Sequence, residues 1–187
     1  MIAALGEGIA QSLLPCSWVL LIPAVVAGFG TRRVAVLASF SGAVVVAAWI
    51  AVAGWFVAPL WLAGVALLVG GLLWGRFGGT CVPAAIIGAG AAWAWRPCVG
   101  PELGEALTTA QYDPVAAFGG LAMFLLGVIA VGLAIGLAGG VVLDRYGRGS
   151  STKTGAGVVA ALGLTMVAGI YPTIASALAR WSTALWA

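Results

Sequence analysis

Two Pro-Cys dipeptides are the groups in this sequence best suited to chemistry. Pro15-Cys16 recurs as Pro97-Cys98, an offset of 82 residues, while the whole chain contains only three cysteines and no histidine. Histidine is the commonest general base and metal ligand, so a reaction here has to use thiols, carboxylates, arginine or the backbone. Thiolates attack disulfides and bind soft metals, and the paired cysteines therefore indicate one of these two chemistries.

The composition places these thiols in a membrane protein. The 187 residues are 63% hydrophobic and 7% charged, with a mean hydropathy of +1.17. Soluble domains carry about 25% charged residues, and no soluble fold of this length hides so much apolar surface. The net charge of +3 is small and spread over connecting segments, which argues against a nucleic-acid partner.

Six apolar stretches are long enough to cross a membrane as helices, which need about 20 residues each. They cover residues 4–29, 34–57, 60–74, 83–109, 115–143 and 157–178. The first lacks the basic start and cleavage site of a signal peptide and is kept as a span. The polar stretch 144–155 is the longest predicted connection. We therefore predict an all-α membrane protein of one domain and six spans, with five spans as the alternative if the second and third merge.

Basic residues predict the orientation of these spans. The first, third and fifth connections carry Arg32, Arg33, Arg76, Arg145, Arg148 and Lys153. The second and fourth connections carry no basic residue. Because cytoplasmic loops are enriched in lysine and arginine, this pattern predicts a multi-pass protein of the cytoplasmic (inner) membrane with both termini outside.

The offset between the two Pro-Cys dipeptides extends to the spans around them. It carries Val34, where the second span starts, onto Ala116, where the fifth begins. Residues 1–80 and 81–187 are therefore predicted to be two three-helix repeats of opposite orientation. Many transporters share this plan, and their broken helices meet at the membrane midplane.

Proline predicts a break in the first and fourth helices. Cys16 and Cys98 each follow a proline directly, and Pro23 and Pro101 come later in the same spans. A proline removes a backbone donor, and unsatisfied backbone at membrane depth is tolerated only against protein or a water-filled cavity. We therefore expect both helices to break at Pro-Cys, with a new helix beginning after Pro101. Both thiols are expected to face a wet interior near mid-membrane.

Charged side chains accompany the second cysteine in the segment "RPCVGPELGEAL". Arg96 is costly at membrane depth unless it is paired or hydrated. Its available partners are Glu102, Glu105 and Glu7. It would equally stabilise a thiolate on Cys98, and only the thiolate attacks disulfides. A structural ion pair and an electrostatic role at the thiol both stay open for these groups.

Two further patterns concern packing and the membrane interface. Gly132, Gly136 and Gly140 repeat every four residues, which predicts a face where another helix backbone approaches closely. Five tryptophans near predicted span ends indicate an interfacial belt. They are Trp55, Trp61, Trp74, Trp181 and Trp186.

The Pro-Cys segments also resemble a known family. "PCVGPELG", residues 97–104, resembles the fourth-helix signature of the CcdA family, the transmembrane relatives of the DsbD membrane domain. "LLPCSWVLLIPAVVAG", residues 13–28, resembles the cysteine segment of that family's first helix. The resemblance extends to span count, orientation and cysteine placement.

This resemblance implies a thiol–disulfide electron transporter. Cys16 and Cys98 would form a reversible intramembrane disulfide that cytoplasmic thioredoxin reduces. The dithiol would then reduce thioredoxin-like proteins outside, typically for cytochrome c maturation, with no metal and no cofactor besides the cysteine pair. The hinge and supporting positions would be Pro15, Pro23, Pro97, Gly100 and Pro101.

Two other interpretations stay open at this point. A small exporter of soft metal ions or amino acids would use Cys16, Cys98 and acidic residues as ligands. An assembly subunit would bind other membrane proteins through its glycine faces. Cys81 has no proline before it and no counterpart at the offset, and it is interpreted as incidental.

Overall fold

A computed structural model describes most of the chain. The described residues are 2–12, 14, 17–30, 33–54, 58–95, 101–145, 151–174, 176, 177 and 180. The helices with defined bounds are α1 (Ile2–Gln11), α2 (Trp18–Gly30), α3 (Val34–Val52), α4 (Leu60–Phe77), α5 (Cys81–Ala94), α6 (Pro101–Tyr112), α7 (Pro114–Arg145) and α8 (Ser151–Val167). Residues 171–174, 176, 177 and 180 are helical as well. No strand occurs in these ranges, which confirms the predicted all-α class for this part of the chain.

Three of the described helices are long and apolar enough to cross a membrane. They are α3, α4 and the segment Pro114–Val142 of α7. These helices coincide with the second, third and fifth predicted spans, and they support the prediction of a membrane protein. The second and third spans do not merge, because α3 ends at Val52 and Gly54 adopts a positive φ of 73° before α4 begins.

The longest helix, α7, lies at the centre of the helix packing. It contacts α1, α2, α3 and α6, while α4 packs between α5 and α8. The fully buried residues of α7 cluster near its middle, with side chains at most 1% exposed. They are Leu121, Phe124, Leu125, Val128 and Ile129. The middle of α7 is therefore enclosed by its neighbouring helices.

The predicted glycine face on α7 is confirmed, and its partner is α2. A Cβ on Gly132 would lie 2.6 Å from the Ala24 Cβ, and one on Gly136 would meet the Val25 carbonyl oxygen. Real Cβ atoms do not approach other atoms so closely, so α2 occupies the space that a side chain would need. The backbones of α2 and α7 pack directly against each other.

The pair α4 and α8 packs in the same way. A Cβ on Gly64 would lie 2.8 Å from the Gly163 carbonyl oxygen, and one on Gly71 would lie 2.9 Å from the Ala156 carbonyl oxygen. Helices in lipid gain little from hydrophobic burial against each other, so close packing of small residues has a larger share in holding them together. Glycine contacts thus recur at two of the main helix crossings.

The sixth predicted span differs from the structure at both ends. The sequence predicts a span over residues 157–178, but α8 begins at Ser151 and ends at Val167. Gly169 has a φ of 70°, its N–H bonds to the Met166 carbonyl, and the Ile170 N–H bonds to the Thr165 carbonyl. These bonds form a glycine-dependent helix stop inside an apolar segment. The predicted connection 144–155 is correspondingly shorter.

The predicted tryptophan belt is wrong for Trp74. Trp61 is 57% exposed, as an interfacial residue should be, whereas Trp74 is 1% exposed and belongs to the buried core. The reason is that α4 packs against α5 and α8, and α8 comes close beside Trp74, since a Cβ on Gly75 would lie 3.3 Å from the Ala156 Cβ. Trp55, Trp181 and Trp186 lie outside the described residues.

We predict that Gly136→Ala destabilises the protein, because its Cβ has no space against the α2 backbone. The expected cost is about 1–3 kcal/mol, measured as a lower midpoint of thermal unfolding in detergent. The matched control is Gly157→Ala in α8, where nothing lies within 4 Å of the new Cβ. The control should keep or slightly raise the midpoint, and equal midpoints for both variants would contradict the α2–α7 contact.

Candidate functional site

The structure describes the chain on both sides of each Pro-Cys segment. The predicted residues Pro15, Cys16, Arg96, Pro97, Cys98 and Gly100 lie outside the described residues. The backbones of Pro101 and Glu102 are described and belong to α6, while Glu105 has an exposed side chain. The described part of the site therefore consists of the helix ends that lead into these segments.

The first predicted span is divided between two helices. α1 ends at Gln11 and α2 begins at Trp18. The Ser12 hydroxyl donates to the Ile9 carbonyl at 2.6 Å, and the Ser17 N–H bonds to the Leu14 carbonyl at 3.0 Å. Both serines are buried, with at most 1% of their surface exposed. Polar groups thus lie inside the protein on both sides of Pro15-Cys16.

Pro23, one of the predicted hinge positions, does not lie at a helix end. It lies inside α2, is buried, and the helix continues past it to Gly30. The interruption precedes Trp18, so Pro23 does not end a helix. Its missing N–H falls in the second turn of α2, where one backbone carbonyl loses its usual partner.

The fourth predicted span is also divided between two helices. α5 ends at Ala94, and the Trp95 N–H still bonds to the Ala92 carbonyl at 3.2 Å. Trp95 itself is extended, with φ −66° and ψ 131°, so the chain leaves the helix there. α6 then begins at Pro101, as the sequence predicts, because proline suits the first position of a helix.

The described helix ends beside both Pro-Cys segments border α7. The Trp95 ring lies against the Phe124 ring, with centroids 6.0 Å apart and ring planes at 32°. Near the end of α1, a Cβ on Gly8 would meet the Phe124 carbonyl oxygen. Near the start of α2, the Leu21 carbonyl oxygen would lie 3.1 Å from a Cβ on Gly132. The helix ends next to both Pro-Cys dipeptides therefore contact one short stretch of α7.

This stretch coincides with the middle of the candidate membrane span. Phe124 to Gly132 is about 12 Å of helix at 1.5 Å per residue. The apolar span of α7 covers Pro114–Val142, and Val128 is its central residue. The described ends of α1, α2 and α5 thus converge at mid-span, the depth at which the sequence predicts the thiols.

A cavity lies beside these helices. It has a volume of about 190 Å³ and is lined by Ala4, Glu105, Ala106, Thr109, Ala116, Ala117 and Gly120, from α1, α6 and α7. Glu105 and Thr109 supply its polar side chains. On α1, Glu7 accepts a hydrogen bond from the Gln11 amide at 2.8 Å. Glu105, one of the predicted charged neighbours, therefore lines a polar cleft next to α1.

Two other groups lie at helix starts. The Asp113 carboxylate accepts hydrogen bonds from the Val115 and Ala116 N–H groups at 3.1 and 3.0 Å, which caps α7. Cys81 is exposed at the start of α5, and its carbonyl accepts a bond from the Ser39 hydroxyl at 3.1 Å. Within the described ranges, no three His, Cys, Asp or Glu side chains lie together as a metal site.

Sequence reasoning did not select Gly8, Trp95 or Phe124. Ala4 and Gly8 form a small-xxx-small pair on α1, a signal that predicts close packing. A Cβ on Gly127, the facing residue of α7, would meet the Leu5 carbonyl oxygen. No sequence pattern indicates that Trp95 and Phe124 meet, because the contact depends on how α5 and α7 cross.

Comparisons with known proteins find no matching family model, no matching curated protein and no matching solved structure. The fold and the candidate site define an all-helical chain with membrane-spanning character, in which helices stop on both sides of two Pro-Cys segments. The resemblance to the CcdA family therefore depends on the residues of those segments.

We predict that the cleft between α1, α6 and α7 admits water. In a background with Cys16, Cys81 and Cys98 changed to serine, Thr109→Cys should react readily with a maleimide in detergent, because thiolates form where water reaches them. The matched control is Ala110→Cys, since the neighbouring Ala110 is 3% exposed. It should react more slowly, and equal rates would show that Thr109 does not face an aqueous cleft.

Proposed function

We propose that the protein is a CcdA-like electron transporter of the cytoplasmic membrane. It takes reducing equivalents from cytoplasmic thioredoxin and passes them to extracytoplasmic thioredoxin-like proteins through Cys16 and Cys98. The observation that carries this proposal is the convergence of three helix ends on Phe124–Gly132 of α7, at mid-span. Two thiols that form one disulfide need such a common depth, because bonded cysteines have Cα atoms about 4.4–6.8 Å apart.

The proposed reaction is two thiol–disulfide exchanges in sequence. A thioredoxin thiolate attacks the Cys16–Cys98 disulfide and forms a mixed disulfide, and the second thioredoxin thiol then displaces the membrane cysteine. Thioredoxin is oxidised, and the membrane pair gains two electrons and two protons. The dithiol reduces a disulfide outside by the same two steps, so the reaction needs no metal and no organic cofactor.

The proposed architecture has six spans in two inverted repeats, residues 1–80 and 81–187. Under the 82-residue offset, α1 corresponds to α5 and α7 to α3. The packing of α1 on α7 then corresponds to that of α5 on α3, and both pairs exist. The contacts of α2 with α7 advance from Leu21–Gly132 to Phe29–Gly139, and those of α3 with α5 advance from Ser39–Cys81 to Val44–Gly88, so each of these pairs runs parallel. Parallel pairs support an odd number of spans between α1–α2 and α7.

The proposed switch exposes the thiols to each side in turn. Soluble partners cannot enter lipid, so alternating access has to bring the disulfide to them. Pro15, Pro97, Gly100 and Pro101 are the proposed hinges, and α6 starting at Pro101 supports the last of these. Arg96, with Glu102, is the proposed electrostatic neighbour of Cys98. Cytochrome c maturation is the proposed destination of the electrons.

We expect the purified protein to hold a disulfide that reduced thioredoxin opens. Free thiols are trapped with a mass-shifting maleimide before and after thioredoxin, and two additional thiols should become reactive. Cys98→Ser should abolish this change and the reduction of an external thioredoxin-like protein by vesicles loaded with thioredoxin. Cys81→Ser is the control and should keep both, because Cys81 lies exposed at the start of α5.

Other outcomes of this thiol-trapping experiment would support other functions. Permanently free thiols that a soft metal protects from the maleimide would indicate an exporter. Thiols that respond to neither treatment would indicate an assembly subunit. Transfer of electrons by the Cys98→Ser protein would refute the proposed pathway.

The proposed topology predicts opposite sides for two exposed positions. Cys81 lies in the third connection, and Tyr112, 89% exposed, lies in the fourth. With Cys16 and Cys98 changed to serine, Cys81 should react with an impermeant maleimide in inverted vesicles only. In a cysteine-free chain, Tyr112→Cys should react in right-side-out vesicles only. Reaction of both on the same side would contradict the predicted orientation.

A further inference from the structure

Exposed side chains form a stripe along one face of α4. They recur every three or four residues, which is the spacing of neighbours on a helix surface. They are Trp61, Val65, Val69, Leu72 and Arg76. The stripe is apolar from Trp61 to Leu72 and ends in a cation in the last turn of the helix. In a membrane-spanning helix, such an outward apolar stripe faces lipid, and Arg76 places a positive charge at one end of it.

A similar exposed face runs along α8. Lys153, Gly157 and Leu164 are exposed, and their separations of four and seven residues place them on one side of the helix. A Cβ on Gly157 would meet nothing within 4 Å, so this face is open at its middle. Lys153 lies in the first turn of α8. The exposed face of α8 therefore also has a cation at one end.

The two exposed faces border one groove, because α4 and α8 pack antiparallel. A Cβ on Gly64 would lie 2.8 Å from the Gly163 carbonyl oxygen. Further along α4, a Cβ on Gly71 would lie 2.9 Å from the carbonyl oxygen of Ala156, which comes earlier in α8. α5 packs on α4, α2 packs on α8, and α2 and α5 contact each other, so these two helices cover one side of the pair. The exposed faces meet on the other side, in what we call the α4–α8 groove.

Arg76 and Lys153 lie at the same end of the α4–α8 groove. Gly75 precedes Arg76, and a Cβ on Gly75 would lie 3.3 Å from the Ala156 Cβ. Lys153 comes about one helical turn before Ala156. Both cations are exposed. The groove therefore combines apolar walls along its length with two positive charges at one end.

We propose that the α4–α8 groove binds an anionic diacyl phospholipid. The lipid phosphate pairs with Arg76 and Lys153, and one acyl chain lies along Leu72 and Gly157. The argument is charge complementarity, since basic pockets between membrane-spanning helices bind anionic headgroups. From Arg76 back to Val65 the stripe measures about 16 Å, close to one leaflet of a hydrocarbon core of roughly 30 Å. The walls thus have the length of a single acyl chain.

A second copy of the chain fits this groove less well. Copies in one membrane share an orientation, so a symmetric contact through α4 brings the Arg76 side chains of both copies to the same depth. Like charges at a contact are costly, whereas a lipid phosphate neutralises the cations. The inference uses neither Cys16 nor Cys98, so it is independent of the proposed electron transfer.

The test is native mass spectrometry of the detergent-purified protein, titrated with dioleoylphosphatidylglycerol. Dioleoylphosphatidylcholine has the same acyl chains and no net charge, and we expect it to bind more than about tenfold more weakly. Arg76→Gln and Lys153→Gln should each weaken phosphatidylglycerol binding about fivefold, the usual contribution of one basic residue beside anionic lipid. Gly157→Trp keeps every charge and fills the groove, and it should weaken this binding as well.

Arg33→Gln is the matched control. Arg33 is exposed at the start of α3. It lies at the same end of the bundle as Arg76, because the Ser39 hydroxyl bonds to the Cys81 carbonyl where α5 follows α4. α3 packs on α5 and α7, away from the groove. The control should change the affinity for phosphatidylglycerol less than about twofold, since separated exposed charges are screened.

Four results would overturn the inference. Equal affinities for the two lipids would remove the role of charge, and full phosphatidylglycerol binding by Gly157→Trp would remove the role of the groove. Competition by inorganic phosphate at the lipid concentration would assign the cations to a free anion. A dimer that Gly157→Trp dissociates would assign the groove to a second copy. The titration needs no thioredoxin, so its failure and a failure of the proposed electron transfer are distinguishable.

Discussion

The direct contact of α1 and α2 with the backbone of α7 is the constraint on which the candidate site depends. Gly8, Gly132 and Gly136 remove the side chains that would hold the helices apart, and the facing carbonyls occupy the space. Neither α1, with 10 residues, nor α2, with 13, is long enough to cross a bilayer alone. Their alignment along one long helix lets two short helices follow the candidate span of α7, with the interruption between them beside its middle.

A helix that is interrupted at mid-span leaves backbone N–H and C=O groups without their helical partners, so the surroundings have to supply other partners. Backbone groups that leave a helix in hydrocarbon lose their partners, and only protein or water replaces them. Ser12 and Ser17 are buried beside the first interruption, and their local hydrogen bonds supply part of that replacement. The Glu105–Thr109 cleft lies between α1, α6 and α7 and supplies a polar surface on the same side of the bundle. Packing on α7 and polarity toward the cleft together make an interruption tolerable there.

The sequence predicts some of these features and misses others, for physical reasons. Regular signals succeed: the Gly132–Gly136–Gly140 repeat predicts a helix contact, and Pro101 predicts the start of α6. Composition alone does not predict the end of α8, because one glycine with a positive φ, Gly169, stops the helix within an apolar segment. Composition also does not predict that Trp74 is buried, because its burial depends on which helices pack on α4. The contact between Trp95 and Phe124 joins residues 29 positions apart and follows from helix crossing, which local patterns do not contain.

A thiol site in a membrane differs from one in water in what limits it. Sulfur exchange needs little chemistry from the protein beyond a thiolate and a path for the partner, so the absence of histidine from the chain is no obstacle. The cost lies in holding a negative charge where water is scarce, and it falls as fixed donors and positive charge are added. Arginine provides such charge but is itself costly at that depth unless it is paired or hydrated, so the proposed thiol site depends on nearby water or a carboxylate as well as on the cation.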